Sequence, residues 1–132
     1  MRVRRPPSFT VGWLVVVAAI SPACGDAPRA SAELGRTVYR QNGCASCHGR
    51  EGHGDGPVSK TLDPKPRDFR DASAFKRGTD SFSIAKTIAT GVANGESQGM
   101  PSFGHLSAEE RRSLALYIIA LRERSRKGTN TP

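Results

Sequence analysis

The sequence is poor in the residues that most often build a folded core. Only 36% of its 132 residues are hydrophobic and 6% are aromatic. No alternating strand pattern and no internal repeat appears, which excludes β-rich and repeat architectures and predicts an all-α fold. The apolar run from Val11 to Ile20 has ten residues, well short of the roughly 20 that a membrane-spanning helix needs.

Cysteine is scarce as well, and its placement excludes two kinds of site. The sequence has three cysteines, two of them in the stretch Cys44-Ala45-Ser46-Cys47-His48. A zinc site would need a second ligand pair, but the only other thiol is Cys24. A thioredoxin-like redox pair would need a βαβ pattern around it, and none is visible.

The remaining interpretation of Cys-x-x-Cys-His is a c-type haem attachment site. Two thiols three positions apart, Cys44 and Cys47, can each add across one vinyl group of the same haem. The adjacent His48 then serves as the proximal iron ligand. One covalently bound haem c would also supply apolar surface that a small domain lacks.

Methionine is rarer still, with two residues in the chain, and this narrows the choice of a second iron ligand. If processing removes Met1, Met100 is the one methionine left in the chain. His53 lies too close to His48 in sequence to reach the opposite haem face easily, whereas His105 is a genuine alternative. With His48 and Met100 as ligands, the iron has no open position, which is typical of an electron carrier.

The N-terminus has the pattern of a secretory signal peptide, predicted over residues 1–23. Three arginines precede the apolar run, and Cys24 follows it directly. Pro6 and Pro7 come immediately after the Arg4-Arg5 pair, so we favour the general export route over a twin-arginine signal. The mature protein is then expected in the periplasm.

Cys24 is left over once both haem thiols are used. Its place after the apolar run fits a bacterial lipoprotein, although Ser21 stands where leucine is commonest. Lipidation of Cys24 would anchor the protein to a membrane surface through a tether of residues 24–30. Ordinary cleavage after Ala23 or Ala27 is the alternative.

Three main helices are predicted within a single domain of residues 31–124, followed by a flexible basic tail of residues 125–132. The first covers Ala32 to Gln41 with Ser31 as its N-cap, and the second covers Asp80 to Thr90. The last opens at Ser107 with a capping box and runs to about Arg124. Its predicted buried face comprises Leu114, Tyr117, Ile118 and Leu121.

Two long loops separate these helices. The first, from Gly49 to Gly78, is rich in glycine and proline and is expected to wrap the cofactor, with Pro57 starting one helical turn. Its inward side chains are expected to be Val58, Leu62, Phe69 and Phe75. The second, from Val92 to Gly104, carries Gly99-Met100-Pro101.

Over residues 31–124 the chain resembles the class I c-type cytochromes, in particular bacterial mono-haem members. The pattern Gly35 to Tyr39 matches the Gly-x-x-x-aromatic of that family's first helix, and Leu114 to Tyr117 matches the Leu-x-x-aromatic of its last. Met100-Pro101 matches its axial methionine followed by proline. The resemblance implies a cytochrome c-like fold, with long loops around one haem.

The resemblance also implies a proline whose backbone carbonyl accepts the ring proton of His48, for which Pro64 and Pro66 are the two candidates. The function it implies is transfer of one electron between redox partner proteins of a respiratory chain, with no catalytic residues of an enzyme. Two alternatives are a haem subunit of a larger oxidoreductase complex and, if Met100 is not a stable ligand, a peroxidase-like haem enzyme.

The formal net charge of +8 bears on the choice of partner. Nucleic acid is excluded by the predicted compartment rather than by charge. In the first loop acidic residues are interleaved with basic ones, so these charges either steer an acidic partner or simply solvate the surface. The basic residues are Lys60, Lys65, Arg67, Arg70, Lys76 and Arg77.

Overall fold

The computed structural model describes residues 29–94 and 97–128. The predicted signal peptide, Cys24, most of the predicted tether and the end of the predicted tail lie outside the described residues. The chain forms α1 (Ala32–Gln41), α2 (Cys44–His48), two 3-10 turns (Pro57–Thr61 and Ala72–Ala74), α3 (Ser81–Thr90), β1 (Val92–Asn94), β2 (Ser97–Met100) and α4 (Ala108–Gly128). The mainly helical fold predicted from the sequence is confirmed.

The helix boundaries follow from their capping residues. The Ser31 hydroxyl accepts a hydrogen bond from the Leu34 amide at 3.1 Å, and the Asp80 carboxylate accepts from the amides of Phe82 and Ser83, both at 3.0 Å. At the start of α4, Ser107 and Glu110 bond reciprocally through side chain and backbone, at 2.7 and 3.1 Å. These caps satisfy amides that have no partner within their helix.

The packing of α1 against α4 forms the main core. Gly35 allows the two backbones to meet, because a Cβ at this position would collide with the backbone carbonyl of Ser113. Tyr39 and Tyr117 then pack edge to face, with ring centroids 5.3 Å apart. The predicted buried face of α4 is confirmed, since Leu114, Tyr117, Ile118 and Leu121 are all buried.

The segment predicted as the second loop contains two short strands. In the structure, β1 and β2 form an antiparallel pair. Val92 pairs with Met100, and Asn94 pairs with Ser97. The all-α fold class is unaffected, but this part of the segment predicted as a loop forms two short strands. Strands of three and four residues are too short to show the alternation by which a strand is recognised in sequence.

The first loop is compact because it bonds back onto α2. The amides of Gly54 and Gly56 donate to the carbonyls of His48 and Cys47, at 2.9 and 3.1 Å. The helical turn predicted at Pro57 is confirmed, but the prediction that Val58 points inward was wrong. Val58 is 42% exposed, because the 3-10 turn directs Ser59 inward instead.

The other three predicted inward side chains are at least partly covered. Phe69 is buried in the core, and Phe75 and Leu62 are half-buried. At the other end of the chain, α4 continues past its predicted end at Arg124 to Gly128, so the first residues of the predicted flexible tail are helical. Across the two described segments, no helix has the length and apolar character needed to cross a membrane.

Candidate haem-binding site

The short helix α2 holds the two thiols and the imidazole of the predicted attachment site. It is entered through Gly43 and left through Gly49, both with positive φ, of 69° and 77°. These conformations favour glycine and allow a single helical turn between two reversals of the chain. Cys44 and Cys47 lie three positions apart on this turn, and both are free and half-buried. The three attachment residues are therefore brought together.

His48 is oriented by a backbone carbonyl and an aromatic ring. Its Nδ1 lies 3.4 Å from the carbonyl oxygen of Arg67, a long hydrogen bond, and its ring stacks on Phe69 with centroids 4.7 Å apart. With the proton on Nδ1, the Nε2 lone pair is free for a metal, and Nε2 has no hydrogen-bond partner within residues 29–94 and 97–128.

The prediction that a proline carbonyl accepts the ring proton of His48 was wrong. Neither Pro64 nor Pro66 lies opposite Nδ1; the acceptor belongs to Arg67. The carbonyl of Pro66 lies instead against Gly54, where a Cβ would collide with it. The carbonyl that faces His48 thus belongs to the residue after Pro66, one position later than the family resemblance suggested.

Burial sets the protonation of these groups. Desolvation lowers the pKa of His48, because the charged imidazolium loses more hydration than the neutral ring. Burial raises the pKa of the Cys44 thiol to about 11, partly offset by a backbone hydrogen bond. In neutral solution the site therefore presents a neutral imidazole, which is the form that binds iron, and a protonated Cys44 thiol.

Met100 lies at the end of β2, apart from α2 in sequence. It is half-buried and packs against the hydrophobic core. The rival ligand His105 is exposed, and its ring lies 5.9 Å from that of Phe103. His53 is half-buried in the glycine-rich part of the first loop. Met100 is therefore more covered than the rival ligand His105.

Two residues that support the site were not predicted to do so. Phe69 was expected only to face inward, but it stacks on His48. Tyr39, noted for its position in a helix pattern, donates its phenol proton to the carbonyl of Gly49 at 2.6 Å, directly after His48. Burial is the main reason that the pKa of Tyr39 is raised, so the phenol stays a donor. The signal that the sequence offered was a tyrosine five residues before Cys44.

The donor set fits a haem better than a bare metal ion. Among the described residues, no group of three or more His, Cys, Asp and Glu side chains is placed to hold a metal ion by itself. Two half-buried thiols and an imidazole with a free Nε2 are instead the groups that two thioether bonds and one axial ligation require.

Comparison with known proteins agrees with this chemistry. Residues 30–118 match the family model described as cytochrome c oxidase, cbb3-type, subunit III. The chain is 34% identical over 95 residues to cytochrome c-551 of Allochromatium vinosum, a match that covers 72% of this chain and 92% of that protein.

A similar solved structure is a chain of the reducing HAO-like protein complex of Kuenenia stuttgartiensis. The TM-score is 0.59 and the identity 35%, over 71% of this chain. This chain spans less than half of that one, since the match covers 44% of its length. The comparison therefore concerns one domain of a longer chain.

The chain belongs to the class I c-type cytochromes, as a mono-haem member. Cys44 and Cys47 fit covalent attachment of haem c, and the protein transfers electrons through that group.

Proposed function

We propose that the protein is a dedicated one-electron carrier whose haem iron is ligated by His48 and Met100. The observation that carries this proposal is the His48 ring, which is held by the Arg67 carbonyl with its Nε2 free, next to Cys44 and Cys47. When bound, haem c supplies an iron that alternates between the ferric and ferrous states.

The protein's part in transfer is to hold its ligands in one arrangement through both states. Cys44 and Cys47 anchor the group covalently, and the stacking of Phe69 on His48 limits rotation of the imidazole. The imidazole of His48 and the thioether of Met100 are both neutral. They therefore add no negative charge that would strongly stabilise the ferric state. Met100 is partly buried and packs against the hydrophobic core, which limits the movement of its side chain.

Ligation by Met100 would distinguish an electron carrier from a haem enzyme. A haem peroxidase or a gas sensor needs a vacant or easily vacated sixth position, and a stable thioether ligand would fill it. The exposure of His105 supports Met100 as this ligand.

An absorption spectrum of the oxidised protein tests the ligation. We expect the weak methionine-to-iron band in the far red, and we expect added cyanide or imidazole to bind slowly and weakly. A high-spin spectrum without that band, together with rapid cyanide binding, would contradict the carrier proposal and favour the peroxidase-like alternative.

A second candidate is a haem subunit of a larger oxidoreductase complex. The match to a chain of a reducing HAO-like protein complex favours it, because that chain is part of an assembly. Gel filtration of the native protein separates the two: a free carrier elutes at the size of one 14.1 kDa chain or less, and a subunit elutes with its partners.

We propose export to the periplasm, where redox proteins of a respiratory chain would be the partners. The support is the signal-like sequence before Cys24. In the first loop, Arg70 is engaged by Asp68 at 2.6 Å, whereas Lys60, Lys65 and Lys76 are exposed. Those lysines are among the exposed groups available to an acidic partner.

We expect Cys24 to be the lipidated N-terminus of the mature protein, because it is the one cysteine outside the haem motif and it directly follows the apolar run. Mass spectrometry of the native N-terminus measures this. The expected species begins at Cys24 and carries acyl chains, and a Cys24→Ser variant should lose them. An unmodified N-terminus, whether at Cys24, Gly25 or Pro28, would show that ordinary cleavage occurs instead.

A further inference from the structure

The C-terminal end of α3 is bonded to the segment that follows Met100. The carbonyl of Ile88 accepts from the Phe103 amide at 2.9 Å, and that of Ala89 accepts from the Ser102 hydroxyl at 2.6 Å. The last carbonyls of a helix have no partner within it, so an outside donor is needed. Here the donors come from the two residues that follow Pro101, and the position of Met100 is tied to α3.

Gly91 brings the end of α3 against the backbone of Met100 itself. Its φ is +70°, and a Cβ built on it would lie 2.6 Å from the carbonyl oxygen of Met100 and 2.8 Å from the amide nitrogen of Ser102. The two stretches of backbone therefore pack directly on each other. Any displacement of Gly91 must change the space available to Met100.

Arg77 also binds the backbone and side chain at this junction. Its Nη1 donates to the Thr90 hydroxyl at 3.0 Å and to the Gly91 carbonyl at 3.1 Å. Arg77 belongs to the first loop, which also supplies the Arg67 carbonyl and Phe69 to His48. The Arg77 guanidinium thus links the loop that orients His48 to Thr90 and Gly91, whose backbone packs against that of Met100. Hydrogen bonds from a charged donor are stronger than neutral ones.

We propose that Arg77 is a positioning residue for Met100, acting through Gly91 to hold the thioether in place. This inference rests on the proposed ligation of the haem iron by Met100. Without Arg77, the Gly91 carbonyl and the Thr90 hydroxyl would lose a shared donor, and the Met100 segment would more often move away from its ligating position.

The test is titration of the oxidised full-length holoprotein with imidazole, followed by loss of the far-red methionine band. Arg77→Met keeps the length of the side chain and removes its donors. We expect imidazole to bind about tenfold more tightly to this variant, since a competitor's apparent affinity rises with the population of the open state. Thr90→Val removes one acceptor of Arg77 and also the 3.3 Å hydrogen bond from the Thr90 hydroxyl to the Gly91 carbonyl, but leaves Arg77 bonded to Gly91, and should change the affinity in the same direction by less.

Two further variants separate positioning from charge and from general stability. Arg70→Met is the matched control, because Arg70 lies in the same loop but is bonded to Asp68; its imidazole affinity should equal that of the wild type. Arg77→Lys keeps the charge but not the planar fork, and should fall between wild type and Arg77→Met.

The outcomes separate this inference from the proposed function. Arg77→Met with wild-type imidazole affinity overturns the positioning role, even if its melting temperature or reduction potential changes. Equal increases in Arg77→Met and Arg70→Met also overturn it, because the effect would then be loss of loop charge. A wild-type spectrum without the far-red band that is unchanged by Met100→Ala overturns the proposed ligation and, with it, this inference.

Discussion

A Cys44→Ser, Cys47→Ser double variant should contain no covalently attached haem. The two thiols are free, half-buried and three residues apart on α2, which fits covalent attachment of haem c through two thioether bonds. Hydroxyls do not replace thiols in this addition. The measurement is haem staining after denaturing electrophoresis, where only covalent haem stays with the chain; we expect complete loss of the signal.

The third cysteine gives a matched control for this experiment. Cys24→Ser makes the same chemical change outside the motif and should leave haem staining at the wild-type level. Each single variant in the motif keeps one thiol and should keep some covalent haem. Staining of the double variant at wild-type strength would contradict attachment at Cys44 and Cys47.

Loss of attachment should also reduce folding. The hydrophobic core consists mainly of the α1, α3 and α4 faces with Phe69, and a domain of this size buries little apolar area without help. We therefore expect the double variant to show reduced helical circular dichroism, whereas Cys24→Ser should match the wild type.

The three long helices were predictable because local signals mark them. Ser31, Asp80 and Ser107 each bond an amide in the first turn of the helix that follows, and α4 shows its buried face at helical spacing. The Gly-x-x-x-aromatic pattern identified in the sequence contains Gly35, where the backbones of α1 and α4 meet. These features depend on residues near one another in sequence, so pattern analysis detects them.

The parts that could not be predicted depend on contacts between distant residues. α2 is five residues long and has no periodicity, and its two glycine-bounded ends become clear only once the first loop bonds back to it. The carbonyl that faces His48 is set by how the loop around Pro66 packs against Gly54. A shift of one residue at that turn changes the acceptor from a proline to Arg67.

The segment around Met100, at the end of β2, also depends on contacts between residues that are distant in sequence. Met100 was recognised as a candidate ligand from its scarcity and its neighbouring proline. Its support by Gly91, Ser102, Phe103 and Arg77 involves α3 and the first loop together. A candidate ligand such as Met100 can be named from the sequence, whereas the residues that contact its segment are found only in the structure.

Replacing Met100 with alanine should change the class of chemistry while the haem stays attached. Cys44, Cys47 and His48 lie on a separate helix and are untouched, so the protein should remain coloured. The sixth position should then accept water or an added ligand, the far-red band should disappear, and the reduction potential should fall because the thioether is lost. Weak peroxidase activity should appear.

The matched control is His105→Ala, which removes the exposed rival ligand just before α4 and should leave the spectrum and the potential unchanged. Met100→His should restore six-coordination at a lower potential, because imidazole favours the ferric state more than a thioether does. Spectra and potentiometry of the three variants together identify the ligand. If Met100→Ala kept the wild-type spectrum and His105→Ala lost it, the ligand would be His105, and the hairpin that carries Met100 would have no role in holding the iron.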